Sequence, residues 1–237
     1  MTDFQENMKS FLDEKILLFN RAEFIETDPI QIPSLFVTKE NIEIAGFLAA
    51  TIAWGQRPTI IRNAHRLNNL MQNNPYEYLM NSDERDWEAF LNFKHRTFNG
   101  EDCIYFLKAL QNIYLNHRGL EQVFNQGYQD GHSVFGALAY FRSVFFELEH
   151  KPRTEKHVAD VLKGASAKRL NMFLRWMVRT DQAGVDFGLW KQIPPSALML
   201  PLDIHTGNVG RKLGLLTRPQ NDWKAVEEVT AALRGFD

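Results

Sequence analysis

The chain has 237 residues, 44% hydrophobic and 24% charged, the balance of an ordinary folded protein, and this excludes a disordered, collagen-like or low-complexity chain. No apolar run approaches the ~20 residues that span a bilayer, and the N-terminus lacks the apolar h-region of a signal peptide, so a cytoplasmic protein is expected. The single cysteine, Cys103, excludes an intrachain disulfide framework, a zinc ribbon or a four-cysteine iron–sulfur cluster. The net charge of −2 is an average: residues 1–150 carry 13 Lys/Arg and 20 Asp/Glu (−7), and residues 151–237 carry 14 and 9 (+5). On charge alone this gradient reads as a solvated surface, although a local basic face can still neutralise phosphates.

The periodicity is helical nearly throughout and predicts an all-α fold. Phe4, Met8, Phe11 and Leu12 recur at helical steps and predict a helix over 3–19. Pro29 and Pro33 break it, and Thr38 is a candidate cap for a helix over 42–54 that is apolar almost all round and so buried on several faces. Gly55 ends that helix; Pro58 opens the next, with Ile60, Ala64 and Leu67 inward. Asn73-Asn74-Pro75 is a turn, and 76–100 reads as short helices and loops without strand alternation. Helices follow over 102–116, 119–126 and 134–148, and Thr154 is a candidate cap for another over 155–162. Beyond the small-residue turn Gly164-Ala165-Ser166 come helices over 167–179, 203–213 and 222–234, with a long loop at 181–200. Gly214 suits a left-handed helix end.

Two segments carry possible chemistry. Leu162 to Leu174 reads as helix, tight turn, helix. Small residues in such a turn let backbone N–H groups approach an anion, the following helix adds its positive end, and Lys163, Lys168 and Arg169 add charge. Taken alone, a plain helical hairpin explains it as well. Leu200 to Leu215 opens a helix with Asp203 and places Gly207 and Gly210 inside it; each costs about 1 kcal/mol against alanine, so another helix or a ligand must approach there.

Together these segments resemble the helix-hairpin-helix DNA glycosylase superfamily, which includes endonuclease III and the 8-oxoguanine glycosylases, and within it an uncharacterised bacterial branch. Gly164 to Leu174 follows the family hairpin, with Ala165 and Ser166 where Val-Gly stands and Lys168 on the catalytic lysine. Leu202-Asp203-Ile204-His205-Thr206, with Arg211 to Leu215, is similar to the family's Val-Asp-Thr-His-Val…Arg-Leu-Gly-Leu and places Asp203 on the catalytic aspartate. Phe47 to Arg57 resembles a third family stretch and puts Gln56 where members present a residue to the DNA stack.

The resemblance implies two helical domains flanking a cleft, residues 41–180 and residues 1–40 plus 181–237. It implies a monomeric base-excision enzyme acting on damaged double-stranded DNA, nucleoid-associated when bound, without cofactor, metal or iron–sulfur cluster. The damaged nucleotide is flipped out, Asp203 stabilises positive charge on the sugar, and Lys168 as a neutral amine attacks C1′ to form a Schiff base whose β-elimination nicks the strand. Gln56, Arg57, Lys163, Gly164, Ser166, Arg169 and His205 are the expected DNA contacts, and Phe187 and Trp190 line the expected base pocket; Trp54 and Trp176 read as core. The competing readings are a non-catalytic nucleic-acid-binding descendant of the same fold and a helical protein-interaction module. The seven scattered histidines, with no His-Glu-x-x-His run, give no metal-hydrolase pattern.

Overall fold

A computed structural model describes residues 3–181 and 183–236, with side chains from Gln5 onward. Ten α-helices are present among them: α1 Asp3–Phe19, α2 Lys39–Thr51, α3 Arg57–Leu70, α4 Pro75–Asn81, α5 Gly100–Asn116, α6 Leu120–Gly131, α7 Val134–Phe145, α8 Lys168–Val178, α9 Ile204–Lys212 and α10 Trp223–Arg234. Short 3₁₀ turns join them. The one departure from the all-α expectation is a two-residue hairpin, β1 Lys94–His95 against β2 Phe98–Asn99, with Lys94 opposite Asn99 and His95 opposite Phe98. Its period is too short to show as alternation.

The apolar α2 lies at the centre, as a helix without a polar face must. Ile42 through Thr51 are all buried. The Phe47 ring meets Phe106, Phe141, Phe145 and Phe173 at centroid distances of 5.4–5.9 Å, so α2, α5, α7 and α8 share one aromatic core. Ile30 and Ile32 from the N-terminal turns, and Val185, Trp190 and Ile193 from the long loop, join the same cluster. By contrast α1 is loosely attached. The Phe4 side chain lies outside the described residues, Phe11 is exposed, and Met8 and Leu12 are only half-buried.

Several caps differ from expectation. Thr38 precedes α2 but its side chain makes no cap bond. Thr154 caps nothing: residues 155–162 form no α-helix, only the 3₁₀ turns Pro152–His157 and Val161–Lys163. The Thr154 hydroxyl instead donates to Asp102 Oδ1 at 2.8 Å. Asp102 is fully buried and closes a capping box with Asn99 at the start of α5. Its Oδ2 also accepts from Arg153 (2.7 Å) and His157 Nε2 (3.2 Å). Burial, against the attraction of Asp102, pushes the His157 imidazole down to about 4, so it is neutral and donates through Nε2. Asp102 thereby hangs the whole 152–157 turn on α5, and removing a partner from such a buried network costs about 3–5 kcal/mol.

A second buried carboxyl, Glu43, sits on the otherwise apolar α2. It accepts from Tyr114 Oη and Trp190 Nε1, both at 2.6 Å. Burial outweighs these donors and raises it from the usual 4.5 to about 7. The native state therefore holds this proton after the unfolded chain has lost it. The stability it contributes is complete below about pH 4.5 and is lost as pH rises through 7. Glu43→Gln keeps an oxygen for Trp190 and removes the titration. Chemical denaturation at pH 5 and pH 8 should show the wild type losing stability on the order of 3 kcal/mol more than the variant across that interval.

Candidate active site

The start of α8 is built by a tight, left-handed turn. Gly164 has φ of +83° and Ala167 has φ of +49°, and between them the chain reverses into the first residue of α8, Lys168. Gly164 is the residue type this geometry favours; Ala167 carries strain on the order of 1 kcal/mol. The turn is held from outside. Trp223 N–H donates to the Gly164 carbonyl at 2.9 Å, and Ala165 pairs with Asp222 in an isolated antiparallel bridge. Asp222 also caps α10 and pairs with Arg218.

Asp203 opens α9 as its N-cap, accepting from Thr206 N–H at 2.9 Å. The helix leaves this carboxylate half-exposed while the preceding Leu202 is fully buried. Partial burial acts to raise the Asp203 carboxyl, but the Thr206 amide, the Lys168 ammonium and the His205 amide together outweigh it and hold the group below the usual carboxylate range. The two chain-distant side chains meet: Lys168 Nζ lies 3.9 Å from Asp203 Oδ2. Lys168 is 30% exposed and Asp203 39%, so an outside molecule can reach both.

Two further groups complete the surroundings. Asp28, N-cap of the 3₁₀ turn Pro29–Gln31, accepts from Ile30 N–H at 3.1 Å and faces Arg57 Nη2 at 4.0 Å. Burial raises its carboxyl, opposed by the Ile30 amide and the fields of Arg57, Arg175 and Lys168, so Asp28 belongs to the same electrostatic neighbourhood. Beside Lys168 a pocket of about 240 Å³ is lined by Thr51, His157 and residues 165–170. Among the described residues no three His, Cys, Asp or Glu side chains converge as a metal site.

A family profile described as protein of unknown function (DUF2400) matches residues 28–237. The chain belongs to the DUF2400 family. No curated protein and no solved structure matched it. The DUF2400 match covers every segment on which the likeness to helix-hairpin-helix glycosylases rested, and it corrects that likeness: the family shown is this one, not the glycosylase superfamily. The local geometry agrees, because the first limb expected of the hairpin is only the 3₁₀ turn Val161–Lys163.

In this DUF2400 chain several expected site residues are otherwise engaged. Trp190 is 1% exposed with its indole N–H on Glu43, so it forms core and no base pocket. Phe187 packs half-buried against the same core. Arg169 turns inward. Its guanidinium donates to the carbonyls of Thr51 and His157 and lies 4.7 Å from the Trp54 ring, which removes it from the DNA-contact set. The expected anion cradle is filled from within, since Gly164 N–H donates to Val161 O and Ala165 N–H to Asp160 O. Lys163 is exposed and pairs with Asp160 at 3.5 Å. Ser166 lines the pocket beside Lys168, its carbonyl accepting from Asn171. Gln56, Arg57 and His205 are all exposed.

Sequence reasoning missed Asp28 and Asn221. For Asp28 the signal was the Asp-Pro pair of a capped turn. For Asn221 no local pattern existed. Its Oδ1 accepts from Arg211 Nη2 at 2.6 Å, and its Nδ2 donates to the Asp203 carbonyl at 3.3 Å. This explains Gly207, where a Cβ would stand 2.4 Å from Asn221 Oδ1. The glycine makes room for a neighbouring side chain, not for a ligand. Gly207→Ala should displace Asn221 and lower stability by about 1–3 kcal/mol, read in thermal or urea unfolding.

Proposed function

We propose that this DUF2400 protein excises damaged bases from duplex DNA, oxidised purines such as 8-oxoguanine being the expected substrate, and passes through a Schiff base on Lys168. The observation that carries this reading is the 3.9 Å approach of a half-exposed primary amine and a half-exposed carboxylate, contributed by the first turns of two helices. Lys168 and Asp203 stand at the starts of α8 and α9, the positive helix ends that favour a nearby anion. The net charge of +5 over residues 151–237 acts in the same direction.

The chemistry follows from the two groups. As the C1′–N bond of an extruded nucleotide stretches, positive charge grows on the sugar, and the Asp203 carboxylate stabilises it. The Lys168 ammonium gives up a proton, which the departing base takes up; the freed amine bonds to C1′, and the electron pair of the broken bond leaves with the base. Loss of a proton from the new C1′–N linkage and opening of the C1′–O4′ bond give the imine. β-Elimination then passes a C2′ proton to water, forms the C2′–C3′ double bond and breaks the 3′ C–O bond so that the 3′ phosphate leaves, and hydrolysis of the imine releases the lysine. The pocket beside Lys168, at about 240 Å³, falls below the ordinary ligand range of about 300–1,000 Å³ and suits a base-sized group.

Borohydride reduction during incubation with duplexes holding 8-oxoguanine or an abasic site should trap a covalent protein–DNA adduct. Lys168→Ala should abolish it. Asp203→Asn keeps the helix cap and should slow trapping by about 100-fold or more without loss of folding. Absence of adduct with every lesion contradicts the proposal; salt-dependent DNA binding without adduct would select the non-catalytic reading.

A further inference from the structure

A groove of about 820 Å³ runs between α3 and the 3₁₀ turn Ala22–Thr27. Arg57, Pro58, Arg62, His65 and Arg66 line it from α3, and Glu26 is the acid on its opposite wall. None of its guanidinium groups has a carboxylate of the described residues within hydrogen-bond distance, in contrast to Arg175 and Arg179 on Asp186, Arg142 on Glu155 and Arg218 on Asp222. Among the described residues Arg62 has no ion-pair partner. Arg66 is steadied by the Asn92 carbonyl at 3.1 Å and by the Phe93 ring at 5.6 Å, neither of which neutralises its charge. Arg57 reaches only Asp28, at 4.0 Å.

We infer that this groove is a track for the phosphodiester backbone of the duplex flanking the excised nucleotide, an inference that rests on the base-excision reading. Three properties support that occupant. The unmatched cations call for a polyanion, and release of its counterions drives association. The run from Arg57 to Arg66 extends about 13 Å along α3, against about 3.4 Å of axial rise per phosphate of one strand, so the arginines can meet several successive phosphates. The groove also starts close to the site: Arg57, at the head of α3, follows six residues after Thr51, which lines the pocket beside Lys168. A free anion would need one charged point; a line of guanidinium groups suits a chain of phosphates.

The test uses the full-length Lys168→Ala protein, which halts chemistry, and an undamaged labelled duplex titrated by fluorescence anisotropy between 50 and 200 mM salt (about a Debye length of 10 Å near the middle of that range). Adding Arg62→Ala and Arg66→Ala should weaken binding about tenfold or more and make the log–log salt slope shallower by about 2, near 0.9 for each lost phosphate contact. Arg85→Ala, in an exposed arginine 3.6 Å from Asp83, is the control and should leave the slope unchanged. Circular dichroism melts establish that each variant folds. An unchanged slope in the double variant overturns the track. Borohydride trapping with otherwise wild-type protein separates the two claims. Adduct with an unchanged slope refutes the groove alone, whereas a shallower slope without adduct refutes base excision and leaves a backbone-binding surface.

Discussion

The site depends on one short tie, residues 221–223, between α9 and α10. Trp223 and Asp222 fix the Gly164-Ala165 turn that launches α8, and Asn221 holds the backbone of Asp203 at the start of α9. The amine and the carboxylate are therefore oriented by a common strut. Neither helix N-terminus can shift without breaking hydrogen bonds to this segment. Asp222 is itself braced by Arg218 and by its own role as the α10 cap. Such positioning matters because electrostatic stabilisation of a developing charge falls away when the groups are misplaced by even an ångström.

Behind the strut stand groups whose burial forces them into definite roles. Asp102 collects Asn99, Arg153, Thr154 and His157, and His157 passes its own carbonyl to Arg169. Arg169 in turn reaches the Thr51 carbonyl at the end of α2. The residue next to Lys168 is thus a bracket that fastens α8 to α2 and to the 152–157 turn. Sequence position alone suggested a phosphate contact. Desolvation decides otherwise, because a guanidinium whose bonds are satisfied by inward carbonyls is not available to an outside anion. Arg57, Arg62 and Arg66 differ in being exposed along a groove, with no carboxylate hydrogen-bonded to them, and this makes α3 its basic wall.

How much could be read from the residues follows from which forces are local. The all-round apolar pattern of Ile42 to Trp54 announced a buried central helix, and Phe47 indeed joins four other rings. Gly214 as a left-handed helix end was legible for the same reason: φ is a property of one residue. Lys168 and Asp203 were legible as helix-opening residues, but their meeting across the fold is a tertiary fact. The failures share a cause. Thr154, Trp190 and Arg169 have side chains that suit a cap, a stacking ring and a phosphate contact, and each was captured by a buried partner distant in the chain. The likeness to glycosylases rested on short segments, which the match over residues 28–237 assigns to DUF2400. The Asp102 network and the Asn221 tie had no local signal, because hydrogen bonds between residues tens of positions apart leave no periodicity.

The claim that Lys168 and Asp203 form one coupled unit can be measured without any substrate. Carbon-detected NMR titration of the Asp203 carboxyl in the wild type and in Lys168→Met reads the interaction itself. The structure requires the carboxyl to titrate below the ordinary aspartate range in the wild type and to move upward when the ammonium is removed. An identical titration in both proteins would mean that the amine does not act on the acid in solution, and the active-site account would fail with it.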